Sequence, residues 1–283
     1  MTIARRFARA AMAVAALTGC RADSSGAKLT LRYRPPTGAT YRYALEQQNS
    51  VRFLSGAMRA SPSQDMKLHL YYTQAVTGPA AGGIGVTVTY DSTTMEPGVM
   101  APALDRMRGL TSSVVYDDRM RILSASFTRL EGQPSPLLEQ MGKSLKGISF
   151  PLPADPVGVG DSWVSEVELP LADLLGASAP IMSHTRLTLK EIHVAGADTS
   201  IVLAVATTFP GDPVTINRSG QTATMKLSGV ISGEQLYSLA KSAPVRATMG
   251  GTMKIDLKGG RMGPEGMTIA MEQQTSLQLT GAK

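Results

Sequence analysis

A mainly β protein, a β-rich α+β fold of curved antiparallel sheets or half-barrels with a few short helices, is what this chain predicts. Three observations carry that reading. Apolar and polar residues alternate at period two through most of the sequence, Gly- and Pro-rich breaks separate the alternating stretches, and helical spacing is confined to a few short runs.

The elements follow in order. Leu29, Leu31 and Tyr33 fall on one face of a first expected strand, which Pro35-Pro36-Thr37-Gly38 ends. Tyr41, Tyr43 and Leu45 open the next, and Met66, Leu68, Leu70, Tyr72 and Val76 line one face of a third. After a turn in Gly78 to Gly83 come Ile84, Val86, Val88 and Tyr90. Val114 to Tyr116, a turn at Asp117-Asp118, and Met120 to Phe127 read as a hairpin. Further on, Trp163, Ser165 and Val167 alternate after Gly160. Leu187 and Leu189 lead to a turn at Ala195-Gly196-Ala197-Asp198, from which Ile201, Leu203, Val205 and Phe209 return. Met249, Met253, Ile255 and Leu257 pair across Gly259-Gly260 with Met267, Ile269, Met271 and Leu277.

Helical signals are sparse. Ser135 as N-cap, Pro136 at the first position, the spacing of Leu138, Met141 and Leu145, and Gly147 as the stop predict one helix. Weaker candidates are Pro102 to Arg108, Pro170 to Leu175 and Gly233 to Ser242.

Gly38-Ala39-Thr40-Tyr41 and Gly160-Asp161-Ser162-Trp163 share a pattern: a turn glycine, two small or polar residues, then an aromatic. Asp117-Asp118-Arg119-Met120 and Gly259-Gly260-Arg261-Met262 sit at hairpin tips later in each half. The chain therefore divides into a β-rich half over 29–150 and another over 151–283, either two related halves or one continuous domain. The boundary falls in the Pro/Gly-rich stretch from Ser149 to Gly160.

The first residues carry a different message. Arg5, Arg6 and Arg9 precede an apolar run from Ala10 to Leu17, far shorter than the ~20 residues of a membrane-spanning helix. The run ends in Leu17-Thr18-Gly19-Cys20, which resembles the lipobox of bacterial lipoproteins at every position. That resemblance implies a signal peptide over 1–19, cleavage between Gly19 and Cys20, and thioether lipidation of Cys20. It also implies a partner, the membrane itself, reached through an N-terminal lipid anchor of the palmitate type. Residues 20–28 then form a short tether whose stretch from Arg21 to Lys28 reaches at most about 25–30 Å. Arg21 is not the Asp linked to inner-membrane retention in enterobacteria, so the expected location is the cell envelope at the periplasmic face of the outer membrane. Cys20 is the single cysteine, so no internal disulfide can form and stability must come from the core.

The body, with Pro151 and Pro153 leading to Gly160-Asp161-Ser162-Trp163, resembles a group of uncharacterised bacterial lipoproteins. In architecture alone it is similar to the curved half-barrels that carry lipoproteins and lipids across the periplasm, and fold does not fix function.

Composition narrows the function classes. The formal charge of +6 counts 28 basic residues, and cutting away Arg5, Arg6 and Arg9 leaves 25 against 22 acidic ones. The remaining charges are scattered, which predicts no nucleic-acid partner. Gly160-Asp161-Ser162 invites a serine-esterase reading, but the last histidine is His193 and Lys190 stands three positions before it, where an Asp is needed. Gly142-Lys143-Ser144 has Leu137 where a phosphate loop needs its first glycine, and it ends a helix rather than starting one. Gly158-Val159-Gly160 lacks a dinucleotide site's third glycine. His69, His184 and His193 have no metal-binding neighbours at the right spacing, and Asp117-Asp118 reads as a turn. The expectation is a non-enzymatic protein with no metal and no cofactor.

Methionine is abundant, with 16 residues, while aromatics make up 5%. Met249 and Met253 share one strand face and Met267 and Met271 the neighbouring one, with Met225, Met107 and Met141 as additions to the same interior. Such side chains either fill a core or line an adaptable apolar concavity. The function expected is an envelope lipoprotein that binds an apolar ligand, lipid or acyl chain, or a protein partner at the membrane surface. The alternative is a structural or interaction lipoprotein with a filled core.

Overall fold

The computed structural model describes residue 26 and residues 28–56, 58–97, 108–128, 151–169, 177–196, 198–218, 221–260 and 265–283. They form one open, 11-stranded antiparallel sheet, and no α-helix occurs among them. The strands are β1 (Thr40–Phe53), β2 (Gln64–Ala80), β3 (Gly83–Glu96), β4 (Thr111–Tyr116), β5 (Ile122–Thr128), β6 (Ser162–Leu169), β7 (Ile181–Ala195), β8 (Asp198–Arg218), β9 (Gln221–Ser238), β10 (Ala243–Gly259) and β11 (Met267–Ala282). Several are long: the 21 residues of β8 span about 70 Å at the usual strand rise.

The sheet order is β5-β4-β3-β2-β1-β11-β10-β9-β8-β7-β6. Strands β1 to β5 thus meander outward from the centre, and β6 to β11 meander inward from the opposite edge until β11 meets β1. Along that central seam Leu45 faces Leu277, Gln47 faces Thr275 and Val51 faces Met271. The strands before residue 150 and those after it form contiguous blocks of a single sheet. Gly38 and Gly160 both take positive φ, 81° and 95°, at the turns that launch β1 and β6.

Two sequence expectations need correction. Leu29 to Tyr33 is extended but joins no ladder: only Leu29 bridges, to Val157. Its apolar side chains are spent packing onto the sheet, with Leu31 and Tyr33 each 1% exposed. Gly233 to Ser242 is not helical, because β9 runs through to Ser238 and a turn follows. Its spacing is strand-like, with Gly233, Gln235 and Tyr237 on one face, and its backbone pairs with both β8 and β10. The expected helix from Ser135 to Gly147 and the Pro170 to Leu175 run lie outside the described residues, as does Pro102 to Arg108 apart from Arg108.

The sheet is strongly curled. Met120, in the β4–β5 turn, accepts a hydrogen bond on its sulfur from the Tyr237 hydroxyl of β9 at 3.6 Å. Strands β4 and β9 are six steps apart in the sheet, which would be nearly 30 Å if it were flat. Three glycines permit part of this coiling. A Cβ on Gly233 would lie 1.9 Å from the Thr248 carbonyl oxygen, one on Gly251 2.0 Å from that of Val230, and one on Gly229 2.2 Å from that of Thr252.

Curling brings distant strands into one core at one end. Leu31, Tyr33, Val86, Leu152 and Val157 pack there with Leu187, Leu189, Ile201, Leu203, Val205 and Tyr237. The irregular stretch after residue 150 crosses beneath: the Trp163 indole donates to the Pro151 carbonyl at 2.9 Å, and Arg32 donates to the carbonyls of Pro153 and Ala154. This is the plugged end. The far end holds a smaller cluster of Ile181, Phe209, Val214, Ile216, Met225 and Leu227 near the β8–β9 and β10–β11 hairpins.

Candidate ligand-binding face

Period-two alternation over eleven strands sorts the side chains onto two chemically opposite faces. Arg42, Glu46, Lys67, Glu234, Lys254 and Asp256 point to the convex side, in register with other polar residues. At the paired positions of the concave side, short of the β8–β9 hairpin tip where Arg218 pairs with Gln221, no described side chain is charged. A face with no charge offers no compensation to a buried carboxylate or phosphate, whose desolvation costs several kcal/mol or more.

The sequence-predicted methionines lie on this concave face. Met253 stands directly opposite Met271, Leu257 opposite Met267, and Met249 opposite Thr275. On the other side of β10, Met249 faces Gly233 and Met253 faces Gly229, so each thioether chain lies beside a bare stretch of β9. All four methionines are half-buried. Met249 touches the plugged-end core and Met253 the far-end cluster, while Met225 is buried, 4% exposed. Met107 and Met141 lie outside the described residues, and so do Gly19 and Cys20 with the rest of the lipobox.

Sequence reasoning missed the polar residues set into this face. Gln47 and Asn49 of β1 stand opposite Thr275 and Gln273 of β11 at the centre of the sheet. Gln47 Nε2 donates to Asn49 Oδ1 at 3.1 Å, and Gln273 Nε2 donates to Thr275 Oγ1 at 3.1 Å. Met66 and Leu68 flank this quartet on β2, and Gly251 and Met249 flank it on β10. The signal was present in the strand phase: extending the Tyr43, Leu45 alternation places Gln47 and Asn49 inside, and extending Met267, Ile269, Met271 does the same for Gln273 and Thr275.

Toward the plugged end the face becomes aromatic. Tyr33 tilts against Tyr116 with centroids 5.3 Å apart, and Tyr43 stacks on Tyr72 at 5.0 Å. Burial pushes the phenol pKa values of Tyr33, Tyr43, Tyr72 and Tyr237 far above the usual range, and that of Tyr116 up to about 12. These hydroxyls are therefore neutral at any physiological pH. Those of Tyr33 and Tyr43, and Thr93 Oγ1, are buried without a hydrogen-bond partner.

The other sequence candidates fall on the outside or in turns. Ser162 Oγ shares a hydrogen bond with Thr188 Oγ1 at 2.7 Å, and Asp161 accepts the Gly158 amide at 2.9 Å, which makes this block a turn entering β6. His69, His184 and His193 sit beside Glu46, Glu166 and Glu191 at 3.6, 3.5 and 3.1 Å. Asp117 accepts from the Arg119 and Arg121 amides and from Arg121 Nε, closing its turn with Met120 at φ 62°. Among the described residues no three His, Cys, Asp or Glu side chains gather as a metal site. A trough of about 590 Å³ on the convex side runs past Val202 and Leu236 between His193, Glu234 and Arg246.

Comparison with known proteins leaves the family open. No protein-family model matches the chain, and no curated protein matches it. Among solved structures, a chain titled for lipid–protein interactions in lipovitellin is similar at a TM-score of 0.48 and 9% identity. The match covers 89% of this chain and 26% of that one, so this chain spans about a quarter of its length.

Proposed function

We propose that the protein is a non-enzymatic envelope lipoprotein, anchored through lipid on Cys20, whose concave sheet face holds an apolar ligand such as a lipid or acyl chain. The observation that carries the reading is the concave face itself: without a charged side chain at its paired positions short of the β8–β9 hairpin tip, and half-buried rather than sealed where Met253 and Met271 oppose each other. Methionine suits such a surface because its unbranched, polarizable chain re-packs around different shapes. Ser162, the nucleophile candidate of the sequence, shares a hydrogen bond with Thr188 where the turn enters β6.

The anchor adds orientation. Lys28 lies 3.7 Å from Asp161, beside the Leu29–Val157 bridge at the plugged end. A tether from Cys20 then holds the plugged end toward the membrane, at the periplasmic face of the outer membrane, and presents the far end away from it.

Native mass spectrometry of the full chain extracted from envelopes in mild detergent tests this. We expect lipid that dissociates without breaking bonds, in addition to covalent acyl chains that disappear in Cys20→Ser. Repeated preparations without dissociable lipid would sink the binding role, and unchanged acylation in Cys20→Ser would sink the anchor.

A further inference from the structure

The Gln47, Asn49, Gln273 and Thr275 quartet keeps part of its hydrogen-bonding capacity after its two internal bonds. Amide side chains on an apolar face cost stability relative to leucine unless their hydrogen bonds are made. They sit at the centre of the sheet, in the two rungs where Asn49 faces Gln273 and Gln47 faces Thr275. A primary amide offers two donors and two acceptor sites, and the Gln47–Asn49 bond uses one donor of the first and one acceptor site of the second. Beside the quartet Gly251 has no side chain, so the floor next to Gln273 is bare backbone.

The concave face around it carries no charge at its described paired positions, and its nearest large neighbours are Met66, Leu68 and Met249. A polar group bound here is best uncharged, and the amide N–H groups left free by the two internal bonds suit one that accepts hydrogen bonds. A carboxylate or phosphate would be desolvated without a cation beside it.

We propose that this quartet recognises the uncharged carbonyl linkage, ester or amide, from which the acyl chain of a bound lipid departs, while the chain lies along the methionine side of the face. This rests on the apolar-ligand reading above and names its polar requirement. Two sources share the chemistry, the ester of a glycerolipid and the amide of an N-acylated molecule.

The test uses the full chain and the neutral fluorophore N-phenyl-1-naphthylamine as reporter, displaced in turn by methyl oleate, N-methyl oleamide, sodium oleate at pH 8 and 1-octadecene. We expect the ester, the amide or both to displace the reporter at about a fivefold to tenfold lower concentration than octadecene, the scale of one or two neutral hydrogen bonds. Which of the two is preferred identifies the source. Oleate should be weaker than either. In Asn49→Leu/Gln273→Leu the advantage over octadecene should vanish while reporter binding persists. If that double variant does not fold, Gln47→Met/Thr275→Val carries the same expectation. A reporter that binds the wild type but is displaced equally by ester, amide and octadecene overturns the linkage site and leaves the apolar-ligand reading standing. An advantage that survives both variants also overturns it. A wild type that never binds the reporter removes the apolar-ligand reading and this inference with it.

Discussion

The two ends of the sheet are built from the same strands and the same alternation, yet they differ in what lies on their concave side. At the plugged end Leu31, Tyr33, Leu189, Ile201 and Tyr237 are at most 1% exposed, because the chain returns across the face and completes a core. Farther from that end, Met249 and Met253 of β10 and Met271 of β11 are only half-buried. The difference teaches that strand phase decides which side chains turn inward, while a returning segment decides whether the inward face becomes core. Where that segment lies, the face contributes stability. Where the methionines lie, it stays half-buried.

The largest effect should come between the two ends. Gly233→Ala drives a Cβ to 1.9 Å from the Thr248 backbone oxygen, so the strand pair must part. We expect a loss of more than about 3 kcal/mol, or no folded protein, in urea titration. Next comes the contrast itself. Leu31→Ala at the plugged end should cost about 2–5 kcal/mol, the range for a buried leucine. Met253→Ala should cost less, about 1–2 kcal/mol, because Met253 keeps more solvent exposure than Leu31. Equal losses at the two sites would erase the distinction between core and surface.

Acid should weaken the plugged end. Burial works to raise the Asp117 pKa, but the amides of Arg121 and Arg119 and the Arg121 guanidinium together hold it below the usual carboxylate range. A depressed folded-state pKa means that the stabilisation is complete above the unfolded-state value, about 3.9, and fades as pH falls through the folded one. The urea midpoint should therefore drop below about pH 4, and Asp117→Asn should flatten that limb. The buried phenols give the opposite limb: with raised folded-state values, their contribution is complete below about pH 10 and is lost as pH rises beyond it. The smallest effect is expected for Tyr43→Phe, which deletes a buried hydroxyl with no partner. Stability should stay within about 1 kcal/mol of wild type or rise, and a larger loss would show that the hydroxyl is in fact satisfied.

Much of the fold was legible because period two is a local signal. The hairpins around Asp117, Gly196 and Gly259, and the pairing of the Met253 strand with the Met271 strand, follow from alternation and turn glycines. The non-local parts were not legible. Leu29 to Tyr33 alternates like a strand, and nothing within it says that it will lie across a sheet instead of joining one. Gly233 to Ser242 combined a helix-like composition with a glycine whose role appears only against Thr248, 15 residues away. For the candidate site, the methionine face was readable and the amide quartet was readable in principle. Polar residues at inward positions interrupt the apolar alternation, so the quartet emerges only when the strand phase is carried through them. Joining Asn49 to Gln273 requires the closure of β1 on β11, a pairing across almost the whole chain.

The central claim is that the methionine stretch of the concave face is a binding surface and the plugged end is core. Methyl-methionine NMR of the full chain, titrated with methyl oleate, tests it most directly, because Met120 sits against Tyr237 at the plugged end and serves as an internal reference. The account predicts saturable shifts at Met253 and Met271 with Met120 unmoved. Shifts centred on Met120, or none at Met253 and Met271 at saturating ester, would contradict it.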